Sequence, residues 1–243
     1  IGWSMARPFA VFDIDGTLIR WQLYHALADE LARQGLLDAQ EFQKVRQARM
    51  AWKKRAGELS FDEYEQTLVD LVSRAITGIK VSDFEAACQK VLAEYKDQVY
   101  TYTRDLIREL RAKDYFLFTI SASQSELVGM LAGYYGFDDW GGSEYEKRDG
   151  CFTGKIDVLR RERKPEFLEQ LVAKHDASWQ GSIGVGDSEG DIQMLERVEQ
   201  PIAFNPNKQL FEHAQQAGWK VVVERKNMVY QLEPSDGTYK LKA

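Results

Sequence analysis

The segment Phe9-Ala-Val-Phe-Asp-Ile-Asp-Gly-Thr-Leu18 constrains the fold more than any other part of the chain. An apolar run suited to a buried parallel strand ends abruptly in two carboxylates, Asp13 and Asp15, followed by glycine and threonine. Strand side chains alternate between faces, so residues two apart start on the same side. Two like charges at the end of a buried strand are costly unless a cation sits beside them or they perform chemistry. One carboxylate as nucleophile, a second as acid/base and a divalent cation between them make up a toolkit for phosphoryl transfer.

Three further segments follow in order. Phe116–Ser123 reads as a second apolar strand ending in small hydroxyl residues. Lys164 opens the helical stretch Lys-Pro-Glu-Phe-Leu-Glu-Gln-Leu, with proline at an early helix position. Ser182–Gly186 is a third short strand running into Gly-Asp-Ser-Glu-Gly-Asp, which sets Asp187 and Asp191 four apart. Together the four segments resemble the haloacid-dehalogenase-like (HAD) hydrolase superfamily, in the subfamily IB branch that contains phosphoserine phosphatase. The resemblance runs from about Phe9 to Val223. It implies an α/β fold: a Rossmann-like parallel sheet core with an inserted helical cap of C1 type and a short β-hairpin. The expected division is a core of residues 5–19 and 103–230, a cap of residues 20–102 and a tail of residues 231–243.

Periodicity agrees with that division. Leu23, Leu27 and Leu31 recur at helical spacing, as do Tyr64, Leu68, Leu71 and Val72, then Phe84, Cys88, Val91 and Leu92. Ser60 and Ser82 read as N-caps, with Glu63 and Glu85 completing capping boxes. Strands are predicted at Phe9–Phe12, Phe116–Ile120, Ser182–Val185, Pro201–Phe204 and Lys220–Val223, alternating with helices as in a parallel sheet. Asp149-Gly150 marks a hairpin turn within Ser143–Ile156. Beyond Tyr230, turn residues without apolar periodicity predict a loose end.

A net charge of −6 gives no support to nucleic-acid binding. No stretch approaches the roughly 20 apolar residues that cross a bilayer. No amino-terminal segment is of secretory type, and Ile1–Ser4 ahead of Met5 reads as an added remnant. Cys88 and Cys151 show no metal-ligand spacing and read as reduced thiols. A cytoplasmic protein is expected; the oligomeric state is open.

The resemblance assigns roles. Asp13 would attack phosphorus and form an aspartyl-phosphate, and Asp15 would protonate the leaving group and later activate water. Mg²⁺ would be held by Asp13, Asp187 and the backbone carbonyl of Asp15, with Asp191 acting through a water or a ligand. Lys164 would neutralise phosphate and nucleophile together. Ser121, the Ala122 amide, Gly16 and Thr17 would contact phosphoryl oxygens. The expected activity is Mg²⁺-dependent hydrolysis of a small phosphomonoester.

The leaving group is less legible. Phosphoserine phosphatases usually carry a cap glutamate where this chain has Gln22, and an arginine in the helix that here reads Glu-Tyr-Glu-Gln-Thr-Leu-Val-Asp. Both departures disfavour phosphoserine. Lys44–Arg55 holds six Lys/Arg and no acid, with Arg46, Arg49 and Lys53 at helical spacing. That run reads either as a solvated face or as a lining for a doubly anionic substrate. Trp21, Tyr24 and Trp52 read either as pocket or as core. A phosphomutase, phosphoserine phosphatase itself and a catalytically silent binding protein stay open as alternatives.

Overall fold

The computed structural model describes residues 6–54, 57, 60–235 and 238–242, without the side chains at 60–62 and 65. Nine strands form one sheet in the order β4-β3-β2-β1-β5-β6-β7-β8-β9. Strands β1 (Pro8–Phe12), β2 (Phe116–Gln124), β3 (Asp139–Arg148), β5 (Ser178–Gly186), β6 (Gln200–Phe204) and β7 (Lys220–Arg225) run parallel. All five predicted strands are present. The chain steps from β1 outward to β2 and β3, then returns to add β5 on the other side. That reversal opens a crevice at the carboxyl ends of β1 and β5, where open α/β sheets bind ligands.

Apolar clusters cover both faces of the sheet. Ala10, Phe12, Leu117 and Val185 face α5 (Thr101–Ala112) and α6 (Ser125–Tyr135). Phe9, Val11, Phe118 and Ile120 face α7 (Lys164–Lys174), α8 (Ile192–Leu195) and α9 (Lys208–Ala217). Burial on both faces explains why β1 reads as an unbroken apolar run.

Among the described residues, four helices lie between β1 and α5: α1 (Leu23–Arg33), α2 (Ala39–Lys53), α3 (Ser60–Ala75) and α4 (Val81–Tyr95). The predicted stripes are their buried faces, with Leu23, Leu27, Leu31, Tyr64, Leu68, Phe84 and Cys88 all buried. Asp38 caps α2 by accepting from the Glu41 amide at 2.8 Å. Ser82 is not an N-cap. Helix α4 starts at Val81, its capping position is Lys80, and no side chain caps it. The start is set by tertiary pairing: Lys80 bridges Cys151 and the Val81 amide donates to Gly150 O at 2.9 Å. Ser60 opens α3, but its side chain lies outside the described residues.

The predicted hairpin is present as β3 with β4 (Cys151–Asp157). Asp149 and Gly150 have φ of 51° and 77°, the paired positive values of a tight hairpin turn. The expected loose end is a correction. Strand β8 (Met228–Ser235) pairs antiparallel with β7, and β9 (Thr238–Leu241) pairs antiparallel with β8 at the sheet edge. Leu232 and Tyr239 pack against the core, and the Tyr239 hydroxyl donates to Trp219 O at 2.9 Å. None of the described residues of this hairpin is fully buried, so its apolar residues are too few to register as periodicity.

Candidate active site

The carboxylates stand at the crevice because of register. Phe12 pairs with Thr119 on one side and Val185 on the other, so Asp13, Ser121 and Asp187 leave adjoining strand ends together. The Asp13 amide donates to Val185 O at 2.9 Å. The residue is 5% exposed and its side chain meets Lys164, whose Nζ lies 2.8 Å from Asp13 Oδ1 and 2.7 Å from Asp191 Oδ1. Lys164 opens α7 and is itself 6% exposed, whereas Arg161 and Arg163 are exposed. Of Arg161, Arg163 and Lys164, it is Lys164 that is buried against the carboxylates.

Asp187 joins this group. Oxygens of Asp13, Asp187 and Asp191 lie within 4.8 Å of one another. Asp191 Oδ2 also accepts from the Asp187 and Ser188 amides, each at 3.2 Å, which shapes the turn after β5. Gly16 is required there. Its φ is +82°, and a Cβ would fall 2.0 Å from Asp187 Oδ2.

Burial pushes the Asp13 carboxyl up to about 7, opposed by Lys164 and reinforced by Asp191 and Asp15. Burial, then Asp13 and Asp191, push Asp187 up to about 9. Lys164 is raised despite burial because Asp13 and Asp191 flank it. Three carboxylates thus share one ammonium, which leaves an oxygen-only cluster short of positive charge. That donor set fits Mg²⁺, a hard cation held by one or a few carboxylates plus substrate phosphate.

This arrangement predicts a pH-dependent stability in the absence of metal. Unfolded carboxyls ionise near 3.8, whereas those of Asp13 and Asp187 hold protons in the folded state up to about 7 and 9. Between those limits the folded state binds more protons, so stability falls as pH rises. In chelator, wild type should lose melting temperature between pH 5 and 9 relative to Asp187→Asn, and Mg²⁺ should restore it most at the alkaline end. Scanning fluorimetry at both pH values checks this. A wild-type curve that stays parallel to the variant's would contradict it.

Asp15 has different company. Its Oδ2 accepts from the hydroxyls of Ser121 and Ser123, both at 2.8 Å, and its Oδ1 accepts from the Leu23 amide at 2.5 Å. Burial raises its pKa against these three bonds. Ser121, expected on a phosphoryl oxygen, therefore spends its proton on Asp15 here. Ser123 is a residue the sequence reading missed, although its two-residue spacing from Ser121 puts both on one strand face. Ala122 is exposed at the strand end, and Thr17 is fully buried, its hydroxyl without a hydrogen-bond partner among the described residues.

The candidates on the helical insert separate. Trp21, Gln22, Tyr24 and Trp52 are half-buried. Gln22 precedes α1 beside the Leu23–Asp15 bond and makes no capping bond. Trp21 and Trp52 lie 6.5 Å apart, and Trp52 stacks on Tyr64 at 5.6 Å. His25 sits 4.8 Å from Tyr64, and burial with Arg49 nearby pushes it down to about 3, so it is neutral. Arg49 is turned inward and held by Asp29 through two bonds of 2.9 Å, with Nε donating to the Tyr64 hydroxyl at 2.9 Å. Arg46 and Lys53 are exposed, and Arg46 lies over Phe42 at 5.5 Å. The basic run is therefore not one lining face: Arg49 is neutralised and its neighbours are solvated. Arg55 lies outside the described residues. A cavity of about 1060 Å³ between α5 and β5–β8 lies away from these carboxylates, so volume does not mark the site.

The family model for haloacid dehalogenase-like hydrolases matches residues 10–196. The chain belongs to that family. It is 26% identical to phosphoserine phosphatase SerB2 of Mycobacterium tuberculosis over 88% of its length, spanning about half (48%) of that longer protein. It is 24% identical to histidinol-phosphatase of Neisseria meningitidis serogroup C, covering 89% of this chain and 98% of that one. A Bordetella pertussis crystal structure of unknown function has a TM-score of 0.72 at 26% identity, covering 89% of this chain and 98% of that one. The chain is a phosphatase of the HAD family. Among the described residues, no helix is long and apolar enough to cross a membrane.

Proposed function

We propose that this phosphatase is a Mg²⁺-dependent phosphomonoesterase that works through an aspartyl-phosphate on Asp13, with a small phosphorylated metabolite other than phosphoserine as substrate. The observation that carries the reading is the unlike company of two carboxylates two residues apart. Asp13 faces the ammonium of Lys164 and the acidic cluster, while Asp15 faces hydroxyls and an amide.

Asp13 is the nucleophile. One of its oxygens forms a bond to phosphorus as the bond from phosphorus to the leaving oxygen breaks, and Asp15 gives that oxygen its proton. Asp15 then takes a proton from the water that attacks phosphorus, which releases phosphate and frees Asp13. Lys164 holds Asp13 in place and offsets the charge of the incoming phosphate. Asp13, Asp187 and the carbonyl of Asp15 would hold Mg²⁺, with Asp191 beside them; when bound, the ion supplies positive charge to the phosphoryl oxygens. Helices α1–α4 act as a cap, and residues 5–19 and 103–230 supply the catalytic core, now continued by β8 and β9. The free thiols of Cys88 and Cys151 support a reducing, cytoplasmic setting.

Gln22 supports the exclusion of phosphoserine, because a neutral amide stands where a carboxylate would hold an ammonium. Arg49 is engaged by Asp29, so it is not free to clamp a substrate carboxylate. Half-buried Trp21 and Trp52 favour a leaving group with a flat or apolar surface. A pocket without partners for a substrate's polar group rejects that substrate by about 10²-fold. The test is kcat/KM for phosphoserine beside histidinol, sugar, nucleotide, polyol and amino-alcohol phosphates with Mg²⁺. Phosphoserine is expected near the bottom of that ranking; phosphoserine at the top would overturn the reading of Gln22.

A further inference from the structure

The chain crosses twice between the sheet and helices α1–α4, and the two crossings are joined. Ile19 bridges Val99, the Arg20 amide donates to Gln98 O at 2.9 Å and the Tyr100 amide donates to Leu18 O at 3.0 Å. Beside this short ribbon stands Glu224 of β7, only 6% exposed. Its Oε1 accepts from Arg20 Nη2 at 2.5 Å and from the Thr101 amide at 3.1 Å; its Oε2 accepts from the Tyr102 amide at 2.9 Å. One buried carboxylate thus binds the outgoing crossing by its guanidinium and the returning crossing by the first amides of α5. Arg20 completes the clamp with Nε on Val99 O at 2.9 Å and its guanidinium 5.1 Å from the Tyr100 ring centre.

The clamp lies directly upstream of the candidate acid. Three residues after Arg20, the Leu23 amide donates to Asp15 Oδ1, and between them Trp21 O accepts from the Gly16 amide at 3.3 Å. Where Arg20 is pinned decides where α1 begins, and therefore whether its first amide reaches Asp15. A charged acceptor suits this task, because each of its bonds is charge-assisted and stronger than a neutral one. A single amide oxygen could not serve three donors on two sides.

We propose that Glu224 is a positioning residue: it locks both crossings through Arg20 and the α5 amides, and so fixes the Leu23 amide on Asp15. The catalytic consequence rests on the reading of Asp15 as the acid. The partners of the Glu224 carboxylate are Arg20 and the Thr101 and Tyr102 amides, not the acidic cluster, so it acts through this placement.

Two variants test it, Arg20→Ala and Glu224→Gln, beside Asp15→Asn. The Arg20 side chain is 41% exposed, so its removal leaves the fold intact even if the buried substitution does not. Amide hydrogen exchange reads the placement: Leu23 should exchange about tenfold faster in both variants, as a locally opened segment does. Kinetics read the consequence on an aryl and an alkyl phosphate. Loss of acid placement should lower kcat on the alkyl ester by about tenfold, with KM and the aryl ester nearly unchanged. Arg20→Lys, which keeps the charge but not the planar fork, should fall between Arg20→Ala and wild type. Unchanged Leu23 exchange in both variants overturns the proposal. Equal losses on the two esters, while Asp15→Asn remains selective for the alkyl ester, overturn it as well. If Asp15→Asn itself loses the same factor on both esters, the acid reading falls, and the exchange result alone decides the role of Glu224.

Discussion

Asp13→Asn protein should fold and yet lose turnover of an aryl phosphate by at least about 10⁴-fold, the order seen when a catalytic residue of a covalent mechanism is removed. Asparagine keeps the shape and the Lys164 contact but cannot form an acyl phosphate. It also takes one like charge away from Asp187 and Asp191, so stability in chelator should rise rather than fall. Mg²⁺ affinity should drop in the same variant, because the nucleophile doubles as a ligand. Steady-state kinetics, melting in chelator and a Mg²⁺ titration separate these three effects. Turnover near wild type in chelator would rule out the assignment.

Lys164→Met should be nearly as damaging, for a different reason. The ammonium is the only cation bonded to the cluster among the described residues, and it touches two buried carboxylates at once. Taking one partner from a buried ion pair costs about 3–5 kcal/mol when the remaining charge has nothing else to meet. Here the orphaned carboxylates can take up protons or bind metal instead. Melting temperature in chelator should therefore fall most at alkaline pH and recover with Mg²⁺. Activity should not recover, since removing one donor to a developing oxyanion costs 10²–10³ in kcat. Recovery of both together on adding Mg²⁺ would reduce Lys164 to a structural role.

The central sheet and its carboxylates were legible because a strand buried on both faces leaves an apolar run that only chemistry would end in charge. Helix faces α1, α3 and α4 were legible by period. What failed was set by contacts distant in sequence. The start of α4 is dictated by pairing with the hairpin turn, which the local pattern at Ser82 cannot reveal. Strands β8 and β9 are edge additions with no fully buried residue among those described. Arg49 looked like one tooth of a basic comb, but Asp29, twenty residues earlier, takes up its charge. Ser123 and Glu224 act through hydrogen bonds to partners over a hundred residues away, and no spacing rule points to Glu224.

The most direct measurement is to trap the covalent intermediate. Enzyme turning over a phosphomonoester with Mg²⁺ is quenched, treated with borohydride to reduce any acyl phosphate, digested and sequenced by mass spectrometry. The reading predicts homoserine at position 13 in a fraction that tracks the phosphoenzyme, no modification at Asp15, Asp187 or Asp191, and none at all with chelator. Reduction at another carboxylate, or full turnover with position 13 unmodified at every quench time, would contradict it.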